Sequence, residues 1–467
     1  MKKSILLCLF AILLLDACSS ENGGSTDISG DTSSDAINLD VKQYDTMPYP
    51  EDIVISEDRG ITDEIYDISG EDSKDVWGED YENEDNEWLD DGGTDIDRED
   101  AGDIDVDTGG SENIKIMTIG DENNEEGTAA FYYNSEIFIT GTSYYQDYNS
   151  SDLFIARVNE KTLKSKLDYM EFDIGLGISV VDGIIYVGGY TGSSGSFKGL
   201  FALFNQYLEP IEQHTYTEDN KGVQFFAMKN ISNYTFALAG FVTGSDNDAA
   251  IYIVDDAGNI KNKVVFNKNM DQEFYSIDVD EYGNIAAAGI DVVDNVNFVD
   301  VYTVKLDKDL NILWEKRLGS KELDGAYNVK ILRDGSVLVA GYTEKDKNIS
   351  RRDGYLILYD KDGNLVWDKR YGSSNDDEIK VVYEDENGDI IAVMISNIYD
   401  PFSSTGDVVL LKIDRDGEIV NSEFLTSDAI INDIVKIDND YLLIGTYYDP
   451  PPGQGDSDVL LIKVSNF

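Results

Sequence analysis

From residue 113 onward, the chain alternates between short apolar runs of strand length and polar turns. One apolar run recurs, and six of its seven copies end in glycine. The copies end at Gly141, Gly189, Gly240, Gly289, Gly341, Met394 and Gly445, with spacings of 48, 51, 49, 52, 53 and 51 residues. A run that returns at so regular an interval indicates an internal structural repeat of about fifty residues.

Each repeat contains further strand-like runs. A second run rich in Val, Ile, Leu and Tyr follows every copy, and turns such as Asp360–Asn364 suit tight hairpins with a positive φ at glycine. The fifth repeat shows all four runs: AYNVKIL, SVLVAGYT, GYLILYD and LVWDKRYG. Four short antiparallel strands repeated radially predict an all-β fold, a seven-bladed β-propeller with four-stranded antiparallel blades over residues 113–467.

The two ends of the repeat region complement each other. The last repeat stops at Phe467 without its outer strand, whereas an extra strand, Ile114–Gly120, precedes the first repeat and matches outer strands such as Trp314–Gly319. We therefore expect the N-terminal strand to complete the last blade and close the ring. Closure removes the exposed sheet edges that an open stack would leave.

The fifth and sixth repeats carry a motif that resembles the bacterial secreted β-propeller repeat family. The matching residues are Trp314–Gly319, Asp334-Gly335, Val339–Thr343 and Asp362-Gly363-Asn364 with Trp367, and the first three repeats are degenerate. The resemblance covers residues 113–467. It implies the propeller fold and no particular activity, because most members of the family have none assigned.

The first 17 residues are typical of a bacterial export signal. Lys2 and Lys3 precede an apolar run from Ile5 to Leu15 that is short for a membrane span. The sequence Leu15-Asp16-Ala17-Cys18 resembles a lipoprotein processing site, although Asp16 departs from its usual pattern. We expect residues 1–17 to be a lipoprotein signal peptide and Cys18 to carry lipid, which would anchor the chain to the outer membrane, facing the periplasm or the cell surface. The alternative is an ordinary secretory signal.

Residues 18–112 are predicted to be an acidic disordered linker. Between Glu21 and Gly110 there are 31 Asp and Glu but four Lys and Arg, and the apolar residues show no sustained period. Such a segment buries too little apolar area to offset the loss of chain entropy. We interpret it as a tether that holds the repeat region away from the membrane.

Composition excludes several classes of function. Thirty-six Lys and Arg against 93 Asp and Glu give a net charge of −57, so nucleic acid is excluded as a partner. His214 is the single histidine, and Cys8 and Cys18 are the two cysteines, which excludes Ser-His-Asp catalysis and Cys- or His-based metal sites in the repeats. We expect no catalytic residues. The alternative is an envelope enzyme that acts on polysaccharide through paired carboxylates.

The loops between the second and third strands are the predicted binding surface. They vary in length and are rich in aromatic residues, which variable loops on a rigid scaffold use for recognition. The candidates are Tyr144, Tyr145, Tyr148, Phe298, Tyr399, Phe402, Tyr447 and Tyr448. They predict a monomeric binding or scaffolding module for an envelope protein or glycan. The alternative is that these side chains cover the blade faces.

One acidic residue also recurs, about three positions before each predicted inner strand. The set is Glu125, Asp173, Asp219, Asp271, Asp324, Asp376 and Asp428. If the turns before the inner strands share one face of the propeller, these carboxylates would form a ring at the mouth of its tunnel. Such a ring would attract a basic partner or Ca²⁺, which prefers oxygen ligands. The alternative is that each carboxylate caps backbone N–H groups of its own turn.

The signal predicts the effect of one substitution on membrane attachment. Cys18→Ser removes the acylated thiol, so the protein should move from the membrane fraction to the soluble fraction. Immunoblotting of fractionated cells measures this. Unchanged membrane retention would contradict lipid attachment at Cys18.

Overall fold

A computed structural model of the chain describes residues 106–107, 113–120, 123–145, 150–158, 163–167, 171–193, 195–232, 234–268, 270–293, 299–320, 322–344, 351–398, 405–448 and 457–467. These residues form β-strands and contain no helix, which confirms the all-β prediction for the described part of the chain. Within the same residues, no helix is long and apolar enough to cross a membrane. The predicted signal, Cys18 and the predicted linker up to residue 105 lie outside the described residues.

The chain begins with two strands that belong to the last sheet, β1 (Val106–Asp107) and β2 (Ile114–Ile119). Two antiparallel groups of four strands follow, joined by a single parallel bridge between Ser151 and Phe172. Their strands are β3 (Asn124–Tyr133), β4 (Glu136–Tyr144), β5 (Ser151–Val158), β6 (Leu163–Leu167), β7 (Phe172–Val181), β8 (Ile184–Ser193), β9 (Ser196–Phe204) and β10 (Pro210–Tyr216).

Three separate four-stranded antiparallel sheets come next, and in each of them the strand order follows the chain order. The first sheet contains β11 (Val223–Ser232), β12 (Thr235–Val242), β13 (Asp248–Asp255) and β14 (Ile260–Phe266). The second contains β15 (Gln272–Val279), β16 (Ile285–Val292), β17 (Val299–Leu306) and β18 (Ile312–Leu318). The third contains β19 (Asp324–Ile331), β20 (Val337–Glu344), β21 (Arg352–Tyr359) and β22 (Leu365–Tyr371).

The last strands form one larger sheet because a single long strand serves two groups. The strands are β23 (Asp376–Glu384), β24 (Ile390–Ile398), β25 (Gly406–Ile413), β26 (Ile419–Ile437), β27 (Asp440–Tyr448) and β28 (Ser457–Val464). The first part of β26 pairs with β25, and its second part pairs with β27. The N-terminal β2 pairs antiparallel with β28 from Ile114–Val464 to Ile119–Val459, as the sequence analysis predicts. β1 pairs with β2, so Val106 and Asp107 are a short strand within the predicted disordered linker.

The sheets stack face to face, which explains why the middle strands are apolar throughout. Ala237 and Ala239 of β12 pack against the sheet of β15–β18, whereas Phe236 and Leu238 of the same strand pack against that of β7–β10. A strand that is buried on both faces has no polar alternation. Outer strands differ from this pattern: the first four residues of β14 are exposed.

The first strand of each group faces a common centre. β3 contacts β7, and the contacts continue through β11, β15, β19 and β23 to β26, which contacts β3 again. Four-stranded antiparallel sheets stacked radially in this way form a β-propeller.

The recurring glycine is required by a bulge in the strand beside it. Opposite each glycine the first strand contains one extra residue, for example between Gly127 and Ala129 opposite Gly141. A Cβ atom at Gly141 would lie 2.0 Å from the carbonyl oxygen of Glu126. At the other recurring glycines the equivalent distance is 1.8 to 2.0 Å, so no side chain fits. Met394 is the exception, and its neighbour β23 contains a second register shift, between Asp376 and Glu378.

The pairing of β2 with β28 predicts that the propeller depends on its N-terminal strand. Deleting residues 113–120 removes the buried side chains of Ile114 and Ile119 and exposes the edge of β28. At about 1.5–3 kcal/mol per buried aliphatic side chain, we expect a loss of roughly 3–6 kcal/mol in the free energy of unfolding. Urea unfolding measures this, with a deletion of residues 19–105 as the control. Equal stability of the two deletion variants would contradict closure by β2.

Candidate functional site in the central cavity

The first strands surround a cavity of about 870 Å³. Residues of β3, β7, β11, β15, β19, β23 and β26 all line it, so every group of strands contributes to one site. Its volume is in the range of sites that bind drug-sized ligands, about 300–1,000 Å³. We therefore take this cavity as the candidate functional site.

The bulges direct one side chain from each first strand into the cavity. A bulged residue has no partner in the strand ladder, and its side chain points away from the regular alternation. The bulged residues, which we name the bulge ring, are Thr128, Leu176, Phe226, Tyr275, Tyr327, Lys380 and Asn432. All of them line the cavity. The sequence analysis missed this ring, although each member precedes the end of its recurring run by 13 or 14 residues.

Aromatic side chains cover one side of the cavity. The ring of Phe226 lies 5.6 Å from that of Tyr275, and the rings of Tyr190 and Phe241 pack behind it at 5.7 and 5.5 Å. We name the cavity-lining rings of Phe226, Tyr275 and Tyr327 the aromatic arc. The arc extends over three consecutive sheets, and its three residues are half-buried.

A charged cluster follows the arc on the next strand. The Nζ atom of Lys380 lies 3.5 Å from the ring centroid of Tyr327. The buried carboxylate of Glu378 accepts hydrogen bonds from Arg352 at 2.5 Å and from Lys380 at 3.2 Å. Burial alone would raise the pKa of Glu378, but the two cations hold it below its ordinary value. Burial also lowers the pKa of Lys380. With two cations and one carboxylate, the cluster has a net charge of about +1.

Three first strands have a glutamate at the equivalent position, two residues before the bulged residue. Glu378 is one of them, and Glu273 is the second. Glu273 accepts hydrogen bonds from the Tyr275 hydroxyl at 2.5 Å and from the Asn247 amide at 2.7 Å. Glu126 is the third, and none of the described residues forms a hydrogen bond or ion pair with it. Its neighbour Thr128 donates instead to the carbonyl oxygens of Thr140 and Gly175. Burial raises the pKa of Glu126 to about 7.

Polar side chains next to the bulges tie neighbouring sheets together. Ser276 Oγ accepts a hydrogen bond from the backbone N–H of Val329 at 3.2 Å, and Asn328 Oδ1 accepts one from Val382 at 3.3 Å. The carboxylate of Asp433 accepts a hydrogen bond from the backbone N–H of Ala130 at 3.1 Å. The three acceptors occupy equivalent positions in their strands. Because β3, β19 and β23 are the edge strands of their sheets, N–H groups on their outer side have no strand partner, and these three side chains supply one.

The acidic residues predicted to form a ring do not occupy equivalent positions. Glu125, Asp173 and Asp324 are buried at the start of their first strands. Glu125 accepts a hydrogen bond from Ser143 at 3.0 Å, Asp173 accepts one from Thr191, and Asp324 accepts one from the backbone of Ser320. In β23 the equivalent residue is Asp377, which accepts from Ser396, and not Asp376.

The other members of that predicted ring have different environments. Asp271 accepts a hydrogen bond from the backbone N–H of Asn247 at 2.6 Å, and Asp376 accepts one from the backbone N–H of Arg352 at 3.0 Å. Asp219 and Asp428 are exposed, with positive φ angles of 49° and 56°. None of the seven predicted acids lines the cavity. Among the described residues, no group of three or more His, Cys, Asp or Glu is placed to hold a metal ion.

Half of the predicted binding-loop residues, Tyr148, Phe298, Tyr399 and Phe402, lie outside the described residues. Tyr144 is buried and packs against Ile174 and Tyr190. Tyr145 is exposed, and its hydroxyl donates to Asp152 at 2.9 Å. Tyr447 packs on the apolar core of the last sheet, and Tyr448 lines the cavity. Of these four tyrosines, the structure thus brings Tyr448 to the candidate site.

No protein-family model and no curated protein matches the chain. Similar solved structures include the β-propeller domain of a trilobed protease from Pyrococcus furiosus, with 10% identity over 74% of this chain and 94% of that one and a TM-score of 0.43. The structure of YCF48 bound to a D1 peptide has 9% identity over 78% of this chain and 98% of that one, with a TM-score of 0.47. A protein of unknown function from Dyadobacter fermentans has 10% identity over 76% and 100%, with a TM-score of 0.45. At these scores the fold assignment rests on the strand pairing of the chain itself.

The raised pKa of Glu126 predicts a pH-dependent effect of its replacement. The carboxyl has a pKa of about 7 in the folded chain against 4.5 for the ordinary group, so the folded state loses stability as pH rises through this interval. Glu126→Gln removes this loss. Because the carboxyl faces a cavity open to water, we expect a gain of only about 1–3 kcal/mol at pH 8 and almost none at pH 5. Paired melting curves measure it. A difference that does not vary with pH would contradict the raised pKa.

Proposed function

We propose that the chain is a lipid-anchored protein of the bacterial cell envelope, whose seven-bladed propeller binds a protein or glycan at its central cavity. Residues 1–17 would direct export, Cys18 would carry the lipid, and residues 18–112 would tether the propeller over residues 113–467. The export signal and the charge of the linker support this arrangement. In this proposal the propeller is monomeric, and the anchor is in the outer membrane.

The blade count rests on two independent periodicities. The recurring run appears seven times at intervals of about fifty residues. The first strands also form a closed series of contacts, in which each touches the next from β3 to β26 and β26 touches β3. This series contains one strand from each repeat. In the last blade, β2 supplies the strand that the C-terminal repeat lacks.

The observation that carries the binding proposal is the composition of the cavity wall. The rings of the aromatic arc line one part of the cavity, while Asn432 and Glu126 add an amide and a carboxyl group to its wall on β26 and β3. A concave apolar surface with a few convergent polar groups is the usual form of a ligand site. Neither feature requires turnover of the ligand.

The alternative is an envelope enzyme that acts on polysaccharide through carboxylates. One observation favours it: the raised pKa of Glu126 suits a carboxylic acid that donates a proton near neutral pH. Glycoside hydrolysis requires a second carboxylate across the bond that is cleaved. Asp433 also lines the cavity, and burial raises its pKa, but its carboxylate accepts backbone hydrogen bonds from Ala130 and Ile434.

One experiment on the mature full-length chain in detergent distinguishes binding from turnover. Fractionated envelope glycans and purified envelope proteins are titrated against it, and released products are followed by mass spectrometry. We expect saturable binding without product. Phe226→Leu keeps the apolar packing but removes the ring, and should weaken binding at least fivefold. Tyr282→Ala, at a residue with 73% of its surface exposed outside the cavity, is the control. Product formation would favour the enzyme, and no binding in any fraction would refute the proposal.

A further inference from the structure

We infer that the central cavity binds an uncharged saccharide, and that the Glu126 carboxylate accepts hydrogen bonds from its hydroxyl groups. This inference rests on the proposed binding function and names the class of ligand. It is carried by two observations that the binding proposal does not use: the place of Glu126 among three equivalent glutamates, and the charge balance of the cavity wall.

The comparison among the three glutamates singles out Glu126. Glu273 and Glu378 sit at the same strand position, and each is already satisfied by two donors from its own surroundings. In both cases one of the donors is the bulged residue of the same strand, Tyr275 or Lys380. At Glu126 the bulged residue is Thr128, whose hydroxyl donates to backbone carbonyls instead. The carboxylate of Glu126 therefore faces the cavity with acceptor capacity that the described residues do not use.

The charges on the wall argue against an ionic ligand. Four carboxylates and four lysines line the cavity, so its wall has no net charge when all of them are ionised, although the whole chain has a net charge of −57. A cation would meet Lys229, Lys330 and Lys380, and an anion would meet Glu126 and Asp433. Moving an ion out of water costs free energy that only a net opposite charge repays. An uncharged ligand with many donors and acceptors has no such requirement.

The aromatic arc fits the apolar part of a sugar, as Glu126 fits its hydroxyl groups. A pyranose ring has an apolar face of C–H groups and an edge of hydroxyl groups. The rings of Phe226, Tyr275 and Tyr327 line one part of the cavity wall, against which such a ring can pack, and the acceptors lie on β3 and β26, beyond the arc. A ring packed on the arc thus has its polar edge free to donate to Glu126 and to exchange hydrogen bonds with Asn432. The volume of about 870 Å³ leaves room for a short oligosaccharide.

The test uses the mature full-length chain in detergent and isothermal titration calorimetry at pH 8, where a carboxyl with a pKa of about 7 is mostly ionised. The probes are uncharged tetrasaccharides of glucose, mannose and N-acetylglucosamine, with tetragalacturonate, tetralysine and tetraglutamate as charged comparisons. We expect saturable binding of at least one uncharged tetrasaccharide and none of the charged probes. Glu126→Gln keeps the size of the side chain but removes its charge, and should weaken that binding at least tenfold, as expected for a lost hydrogen bond to a charged group.

Glu281→Gln, at an exposed residue of the turn between β15 and β16, is the matched control and should bind as the wild type does. Melting curves verify that both variants fold. Equal affinity of Glu126→Gln and wild type would overturn the role of Glu126. Binding confined to charged probes or to an envelope protein would overturn the saccharide assignment and leave the binding function standing. Absence of all binding, proteins included, would overturn the binding function itself.

Discussion

The close approach of two backbones within each blade is the constraint on which the rest of the structure depends. In six of the seven repeats, the carbonyl oxygen that precedes the bulge lies where the second strand would otherwise have a Cβ atom, within 2.0 Å of that position at Gly141; Met394 is the exception. Glycine is therefore required at this point, and the bulge beside it changes the direction of the first strand. From this one contact follow the recurring glycine of the sequence, the ring of side chains in the cavity and the position of Glu126.

The edges of the sheets impose a second constraint. The first strands β3, β19 and β23 have no strand partner on their outer side, and buried backbone N–H groups without a partner are costly. Ser276, Asn328 and Asp433 supply those partners across the interface to the next blade. At the outer ends of the blades, Trp314 and Trp367 donate to the carbonyl oxygens of Lys361 and Arg415 in the turns of the next blade. The sheets of β15–β18 and β19–β22 are thus each held to the following sheet at two radii.

Charge is unevenly distributed along the chain. The 31 Asp and Glu against four Lys and Arg between Glu21 and Gly110 account for about half of the net charge of −57. The cavity is instead balanced between acids and lysines, and several of its charges are already paired, as at Glu378. Net charge therefore describes the solvation of this protein and how it approaches a partner. It does not describe the cavity wall, whose local composition is different.

The sequence by itself determined the strand content, the fifty-residue period and the pairing of the N-terminal strand with the last blade, because these depend on local apolar patterns and on a count of strands. It did not determine which residues face the cavity. Side chains in a strand alternate with a period of two, and one bulged residue reverses that alternation for every residue after it. Linear spacing also grouped Asp376 with Glu125, whereas the strand pairing places Asp377 there. Only the tertiary structure decides where the register shifts, since the shift depends on how closely the two backbones pack.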